Sequence, residues 1–245
     1  QERGDPEVPR ENVPREYLAI LGGGLLGDGQ GSGRLELAER IASADNPLTA
    51  RVMVNRIWAS HFGRGLVATP NDFGNHGQAP SHPELLDYLA RYFIEHDWSV
   101  KAMHRLILSS ATYQQAASDG ITAGTFSAFA HRRLSAEELR DTLLLAAGTL
   151  DLSPGQGHPF PAEQSWSFTQ HAPFAAEYAS NRRSIYLMRK RNRNSAYFAL
   201  FDGADPNAST AERGVTTPPT QALYFMNDPF FHDCAERFAE RIRAA

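Results

Sequence analysis

The segment Asn46-Pro-Leu-Thr-Ala-Arg-Val-Met-Val-Asn-Arg-Ile-Trp-Ala-Ser-His-Phe-Gly63 predicts a single helix, about 46–62, with both ends marked. Asn46 is a residue type that favours the N-cap, and Pro47 suits the first helical position because its missing N–H would have no partner there. Gly63 can adopt the left-handed conformation that ends a helix. Apolar side chains surround most of this segment, so we expect it to be a central buried helix.

Capping residues and apolar periodicity predict further helices around this segment. Ser81 and Ser135 each open the pattern of a capping box, in which a Ser and a Glu three residues later satisfy two helix-terminal N–H groups. The predicted helices cover about 34–44, 82–96, 100–115, 136–147, 220–228 and 229 onward. The strand candidate is 183–189. The predicted fold class is therefore mainly α: an irregular multi-helix domain around the central helix, with at most one small β-sheet near 183–189 and long ordered loops.

Composition suggests how the chain is divided. Residues 1–33 are rich in Gly, Pro and charge, which is typical of a connector or an arm. We expect 34–245 to form a single helical domain, within which 151–180 is an irregular aromatic excursion that is too apolar to be disordered. The chain does not begin with Met and ends in an uninterrupted helical pattern, so we expect a piece of a longer protein.

Charge and cysteine content exclude several functional classes. The formal net charge of −4 and the pI near 6.1 give no bulk electrostatic reason to expect nucleic-acid binding. Cys234 is the only cysteine, which excludes an internal disulfide and a Cys-x-x-Cys-His haem attachment. No apolar run approaches the roughly 18 residues of a membrane span. We therefore predict that this segment does not bind nucleic acid, does not span a membrane and holds no cofactor.

Polar residues in and after the central helix are the candidates for a catalytic site: Arg51, Asn55, Asp72 and His76. A guanidinium, an amide, a carboxylate and an imidazole around one cleft would have the chemistry of a hydrolase. Asp72, His76 and His82 are residue types that bind metal ions. Their spacing matches no metal-binding motif, so no metal is predicted.

The same residues have structural explanations. Arg51 can pair with a carboxylate such as Asp72, Glu84 or Asp141 and hold helices together, because buried charges are normally paired. Asp72 stands before Phe-Gly, where its side chain can form an Asx turn. Convergence of Asp72, His76 and Arg51 in one open cleft would favour an enzyme, whereas a paired Arg51 would favour a scaffold.

The aromatic excursion supplies candidate ligand-binding residues. Trp166, Phe168, His171 and Tyr178 combine rings with a polar group, which is the usual lining of a pocket and suits sugar stacking. Arg183 belongs to a basic run that can bind an acidic glycan, a nucleic acid or a partner protein. The alternatives are a loop packed on a core and a charged, solvated strand edge.

An ordered series of motifs carries a resemblance to a known family. The motifs are Asn46 to Trp58, His61 to Val67, Asp72 to Gly74, His82 to Leu86, Trp98 to Lys101, Ser110 to Tyr113, Leu134 to Glu137, Asn181 to Tyr186, Phe201 to Asn207 and Thr220 to Leu223. Over roughly residues 34 to 240 the chain resembles the C-terminal domain of unknown function of large exported planctomycete-type proteins. In those proteins the domain usually follows a companion domain of unknown function and often a cytochrome-c-like domain.

The resemblance implies export, periplasmic or to the cell surface, and other domains of a parent protein as partners. It confines haem to a separate domain of that parent, and it carries no assigned reaction. Our leading hypothesis is a binding or scaffold module that contacts a partner domain or a glycan such as a polysaccharide. The alternative is a hydrolase that acts on a polysaccharide or another secreted polymer, with its site around Asp72, His76 and Arg51. The sequence leaves open whether the chain is an enzyme.

Overall fold

The computed structural model describes residues 7, 13–27, 31–118, 125–129, 131–155, 157, 162–169, 171–172, 174, 176–191 and 194–244. Within these residues there are eight α-helices and no β-strand, which confirms the mainly α fold class. The helices are α1 Arg34–Ala42, α2 Thr49–Phe62, α3 Pro83–Glu95, α4 Val100–Leu108, α5 Ala136–Ala147, α6 Ala196–Leu200, α7 Pro219–Asn227 and α8 Pro229–Ala244. The chain falls into two compact units, Gln1–His131 and Arg132–Ala245.

The α2 helix is the centre of the first unit. Its side chains Val54, Ile57 and Trp58 are buried, and the helix packs against both α3 and α4. The core around them contains Leu66, Val67, Leu86, Leu89, Phe93, Met103 and Ile107. Burial of this apolar surface stabilises the unit. The burial of the α2 side chains confirms the predicted central buried helix. None of the helices in the described part of the chain has the length and apolar character needed to cross a membrane.

The start of α2 differs from the prediction, whereas its end does not. The helix begins at Thr49, because the Asn46 side chain forms a turn before the helix instead of capping it. Asn46 Oδ1 accepts from the Leu48 N–H at 3.0 Å, and Nδ2 donates to the Ile41 carbonyl at 3.1 Å. Gly63 has φ of 76°, the left-handed conformation expected of a residue that ends a helix.

The N-termini of α3 and α4 show one wrong prediction and one correct one. His82 is the N-cap of α3, and the Ser81 hydroxyl donates to the Leu66 carbonyl at 3.2 Å, so the capping box predicted at Ser81 does not form. Ser99 caps α4 as its position suggests, because its Oγ accepts from the Ala102 N–H at 3.3 Å.

Residues 13–27, part of the predicted arm, are mostly exposed and are anchored by two buried side chains. The Tyr17 N–H donates to the Gly24 carbonyl at 2.9 Å, and the side chains of Tyr17 and Leu26 are buried. The Tyr17 hydroxyl also accepts from the Asn46 amide at 3.2 Å. The division into 1–33 and 34–245 stays a prediction.

A histidine pair joins α2 to α4. Nε2 of His61 and Nδ1 of His104 are 2.7 Å apart, and the Tyr113 ring meets His61 edge-on with centroids 5.6 Å apart. A bond between two imidazoles needs one donor nitrogen and one acceptor, so it is lost when both rings are protonated. Burial, and next the proximity of His104, lowers the pKa of His61 below its ordinary 6.5.

We predict that the first unit loses stability as the pH falls below 6.5, the ordinary pKa of histidine. The folded state binds a proton at His61 less readily than the unfolded chain does. The contribution of His61 to stability is therefore complete above that pKa and declines below it. The measurement is the melting temperature at about pH 7.5 and about pH 5, on either side of the histidine titration. His61→Gln, which cannot titrate, should show a smaller fall than the wild type, and an equal fall would contradict the prediction.

The α5 helix organises the second unit, and its predicted capping box forms. Ser135 Oγ accepts from the Glu138 N–H, and Glu138 Oε2 accepts from the Ser135 N–H at 2.8 Å. Two further hydrogen bonds from Arg132 are the main reason that the pKa of Glu138 is lowered to about 2. The inward face of α5 buries Leu144 against Cys234 of α8.

The strand prediction at 183–189 was wrong, because Ser184–Tyr186 is a short 3-10 helix. The cause is Asp141 of α5, whose Oδ1 accepts from both the N–H (2.8 Å) and the hydroxyl (2.7 Å) of Ser184. A strand needs its backbone groups for a neighbouring strand, and here a side chain has taken one of them. Pairing nearby is limited, among the described residues, to one isolated bridge between Asp151 and Arg182.

Candidate functional site

Arg51 is paired, as the structural explanation expects, but its partner is Asp87 of α3. Arg51 Nε donates to Asp87 Oδ1 at 2.7 Å, and Nη1 donates to the Pro47 carbonyl at 2.7 Å. The hydrogen bond from Arg51 is the largest cause of the lowered pKa of Asp87. The ion pair is partly exposed, so it contributes modestly to stability while fixing the positions of α2 and α3.

Asn55 is a structural residue of the first unit. Its side chain is completely buried, Nδ2 donates to the Val67 carbonyl at 2.9 Å, and Oδ1 accepts from the Val67 N–H at 2.8 Å. The amide therefore holds the chain after α2 by both backbone groups of one residue. Gly65 lies against it, since a Cβ there would come within 2.7 Å of the Asn55 amide.

Asp72 forms the predicted Asx turn, with its Oδ1 accepting from the Gly74 N–H at 2.8 Å. His76 and His82 are exposed. A cleft of about 410 Å³ lies between α2, α3 and the loop that joins these two helices. Arg51 and Asp87 line it, but its lining includes neither Asp72 nor His76. Within the described ranges, no three His, Cys, Asp or Glu residues are grouped so that they could hold a metal ion.

The second unit contains two adjoining hollows, which together we call the Arg140 cavity. The tyrosine lobe, about 300 Å³, is lined on its own side by Ala196, Tyr197, Leu200, Tyr224 and Asp228. The lysine lobe, about 230 Å³, is lined on its own side by 176–181, Met188, Arg189, Lys190 and Asn194. Both lobes share Arg140, Leu187, Ser195, Phe198 and Phe230. The mixture of rings with a few polar groups is typical of ligand pockets.

Arg140 is a buried cation whose hydrogen bonds go mainly to neutral groups. It is only 8% exposed. Nη1 donates to the Arg182 carbonyl at 3.0 Å and to Ser184 Oγ at 3.4 Å, and Nη2 donates to the Ser180 carbonyl. The nearest carboxylate oxygen, of Asp141, is 3.8 Å from Nη1. Burial lowers the pKa of Arg140, but a guanidinium stays charged in proteins.

The tyrosine lobe presents neutral rings and one carboxylate. The Tyr197 hydroxyl donates to the Ala136 carbonyl at 2.9 Å. Burial raises the pKa of both Tyr197 and Tyr224, so both phenols stay protonated at neutral pH. Asp228 Oδ1 accepts from the Phe230 N–H at 3.0 Å, which fixes the carboxylate at the start of α8.

The lysine lobe is richer in cations. Lys190 Nζ lies 3.7 Å from Glu177 Oε1, and the lysine side chain is only 10% exposed. The Arg189 guanidinium lies over the Phe198 ring, 4.3 Å from its centroid, an arrangement that is electrostatically favourable. Asn194 Oδ1 is buried and has no hydrogen-bond partner among the residues that the structure describes. An unpaired buried acceptor is costly, so it marks a position where a ligand donor or water is favoured.

The predicted ligand-binding residues are not all at this cavity. Tyr178 lines the lysine lobe. The rings of Trp166 and Phe168 contact each other with centroids 5.3 Å apart, and neither lines a described pocket. His171 is exposed, and the exposed Arg183 side chain extends to within 3.8 Å of Asp141 Oδ2. His158, which the sequence also places in the excursion, lies outside the described residues.

Sequence reasoning missed Arg140, although a signal for it exists. Ala136, Arg140 and Leu144 recur every four residues and therefore share one face of α5, the face that is buried. A charged residue in the middle of an apolar helical face predicts a buried polar contact. Its partners come from the irregular segment 180–184, which has no periodicity to reveal them.

Comparison with known proteins identifies a family but no described activity. The PSD1 family model, described as a protein of unknown function (DUF1553), matches residues 33–245 and so spans most of the chain. No curated protein and no solved structure matches the chain. The match begins where the predicted arm ends, and it includes every residue that lines the Arg140 cavity. The chain therefore belongs to the PSD1 family of proteins of unknown function.

Proposed function

We propose that this chain is a binding module of an exported multidomain protein and that its second unit binds a carbohydrate in the Arg140 cavity. The observation that carries the proposal is the lining of this cavity, where aromatic rings stand beside a small number of fixed polar groups. Export and the companion domains follow from the resemblance described above. They are part of the proposal.

A sugar has the two kinds of surface that this lining complements. Its C–H faces pack on aromatic rings, and the cavity supplies such rings from Phe198 and Phe230 in its shared part and from Tyr197 in the tyrosine lobe. Its hydroxyl groups donate hydrogen bonds, and the residue Asn194, whose buried Oδ1 has no partner among the described residues, belongs to the lining of the lysine lobe. Filling that acceptor would remove a desolvation cost that the unliganded protein carries.

The proposal is tested by calorimetric titration with a panel of oligosaccharides that differ in sugar type and charge. We expect at least one to bind and Asn194→Ala to weaken its affinity about 3- to 10-fold, the value of one hydrogen bond of about 0.5–1.5 kcal/mol. Asn227→Ala, the same change on the exposed face of α7, is the matched control and should leave affinity unchanged. Thermal melting of both variants checks that they are folded.

Two results would refute the proposal. The first is that no member of the panel binds the folded wild-type chain. The second is that an oligosaccharide binds with the same affinity to the wild type and to Asn194→Ala, because binding would then occur elsewhere on the protein.

A further inference from the structure

We infer that the carbohydrate taken by the Arg140 cavity is acidic, carrying a carboxylate or a sulfate group that lies in the lysine lobe. This inference rests on the proposed function and adds the class of ligand. Three separate observations support it: the balance of charges that line the lobe, the neutral hydrogen-bond partners of its two guanidinium groups, and the unequal burial of the ion pair between Lys190 and Glu177.

The charges that line the lysine lobe are predominantly positive. Its described lining contains Arg140, Arg189 and Lys190, and the one carboxylate among these residues is Glu177. A concave wall with an excess of one charge concentrates ligands of the opposite charge. The tyrosine lobe has one cation and one carboxylate, Arg140 and Asp228, so the excess lies on the lysine side.

The two guanidinium groups of the lobe have mainly neutral partners. Arg189 Nη2 donates to the Ala204 carbonyl at 2.6 Å, and the guanidinium also lies over the Phe198 ring. Arg140 donates to two carbonyls and a hydroxyl, and the carboxylate at 3.8 Å, Asp141, also accepts two hydrogen bonds from Ser184. An additional anion in the lobe would therefore gain Coulomb energy from both groups without displacing a strong ion pair.

The ion pair between Lys190 and Glu177 leaves the cation dominant inside the lobe. The lysine side chain is 10% exposed, whereas the Glu177 side chain is 60% exposed. Solvent screens an exposed charge far more than a buried one. The glutamate thus cancels only part of the positive potential that a ligand would meet next to Lys190.

The test compares three oligosaccharides with the same backbone: a neutral one, one that carries a uronic acid, and one that carries a sulfate. We expect the acidic ligands to bind at least about 10-fold more tightly than the neutral one, and this ratio to shrink as salt is added. Tighter binding than the neutral sugar by the uronic acid alone identifies a carboxylate ligand. Tighter binding by the sulfated sugar alone identifies a sulfate ligand.

Two variants with opposite expected effects on the preference for acidic ligands make the test more specific. Lys190→Gln should reduce the preference for the acidic ligand, and Glu177→Gln should increase it, because each removes one member of the same ion pair. Lys101→Gln, an exposed lysine of the first unit, is the matched control and should change nothing. Equal responses to Lys190→Gln and Glu177→Gln would overturn the inference.

The outcomes separate this inference from the proposal beneath it. Equal affinity for neutral and acidic sugars would refute the inference of an acidic ligand and would still support the proposed carbohydrate-binding module. Absence of binding to all three sugars would refute both. Binding of an acidic peptide in place of any sugar would also refute both, and it would assign the cavity to a protein partner.

Discussion

Replacing Asn55 with leucine should lower the free energy of unfolding of the first unit by about 4 kcal/mol, because two buried backbone groups lose their partners at a cost of about 1–3 kcal/mol each. Leucine has the same number of side-chain heavy atoms as asparagine, branched in the same way, so it leaves no cavity. The Asn55 amide makes hydrogen bonds to both the N–H and the carbonyl of Val67. Urea denaturation of the full chain measures the change.

The control for this variant is Lys101→Ala, an exposed change in α4 that should alter stability by less than about 0.5 kcal/mol. Oligosaccharide binding at the Arg140 cavity should survive in Asn55→Leu wherever the second unit remains folded. A loss of stability no larger than that of the control would show that the Asn55 amide does not have the structural role assigned to it.

Asp141→Ala should lower the free energy of unfolding of the second unit by about 3 kcal/mol, because the N–H and the hydroxyl of the buried Ser184 both lose their acceptor, at a cost of about 1–3 kcal/mol each. The change removes the acceptor of two Ser184 hydrogen bonds and the carboxylate nearest to Arg140. We expect the 3-10 helix Ser184–Tyr186 to loosen at the same time. Hydrogen exchange at the Ser184 amide, together with chemical denaturation, measures both effects.

Asp141→Asn separates the contribution of the hydrogen bonds to Ser184 from that of the negative charge near Arg140. It keeps an acceptor for Ser184 and removes the charge, so its effect should be intermediate between those of the wild type and Asp141→Ala. An asparagine variant as unstable as the alanine variant would place the whole effect on charge. A stable alanine variant would contradict the account of how this segment is held.

The sequence predicted the helices well because their signals are local. Ser135 and Glu138 lie three residues apart, and Gly63 ends α2 through its own backbone conformation, so neither depends on distant contacts. The strand prediction failed for the opposite reason. The conformation at Ser184 is set by Asp141, which lies 43 residues earlier.

The candidate site was predictable only in part. The sequence shows that Arg51 needs a carboxylate, but choosing Asp87 requires the position of α3 relative to α2, which no pattern gives. Tyr178 was selected as an aromatic of the excursion and does line the Arg140 cavity. The polar acceptor at Asn194 has no sequence signal, since its importance comes from the lack of a partner after folding.

Under the proposal of a carbohydrate site, the position of Arg140 has a consequence for how the ligand preference of this chain can change. The same guanidinium fastens the backbone of 180–184 and faces both lobes, so a substitution there alters recognition and folding together. Changes at Lys190 or Tyr178 touch the lining without removing that attachment. We therefore expect variants selected for a new ligand to accumulate at the margins of the lysine lobe while the arginine at its centre is retained.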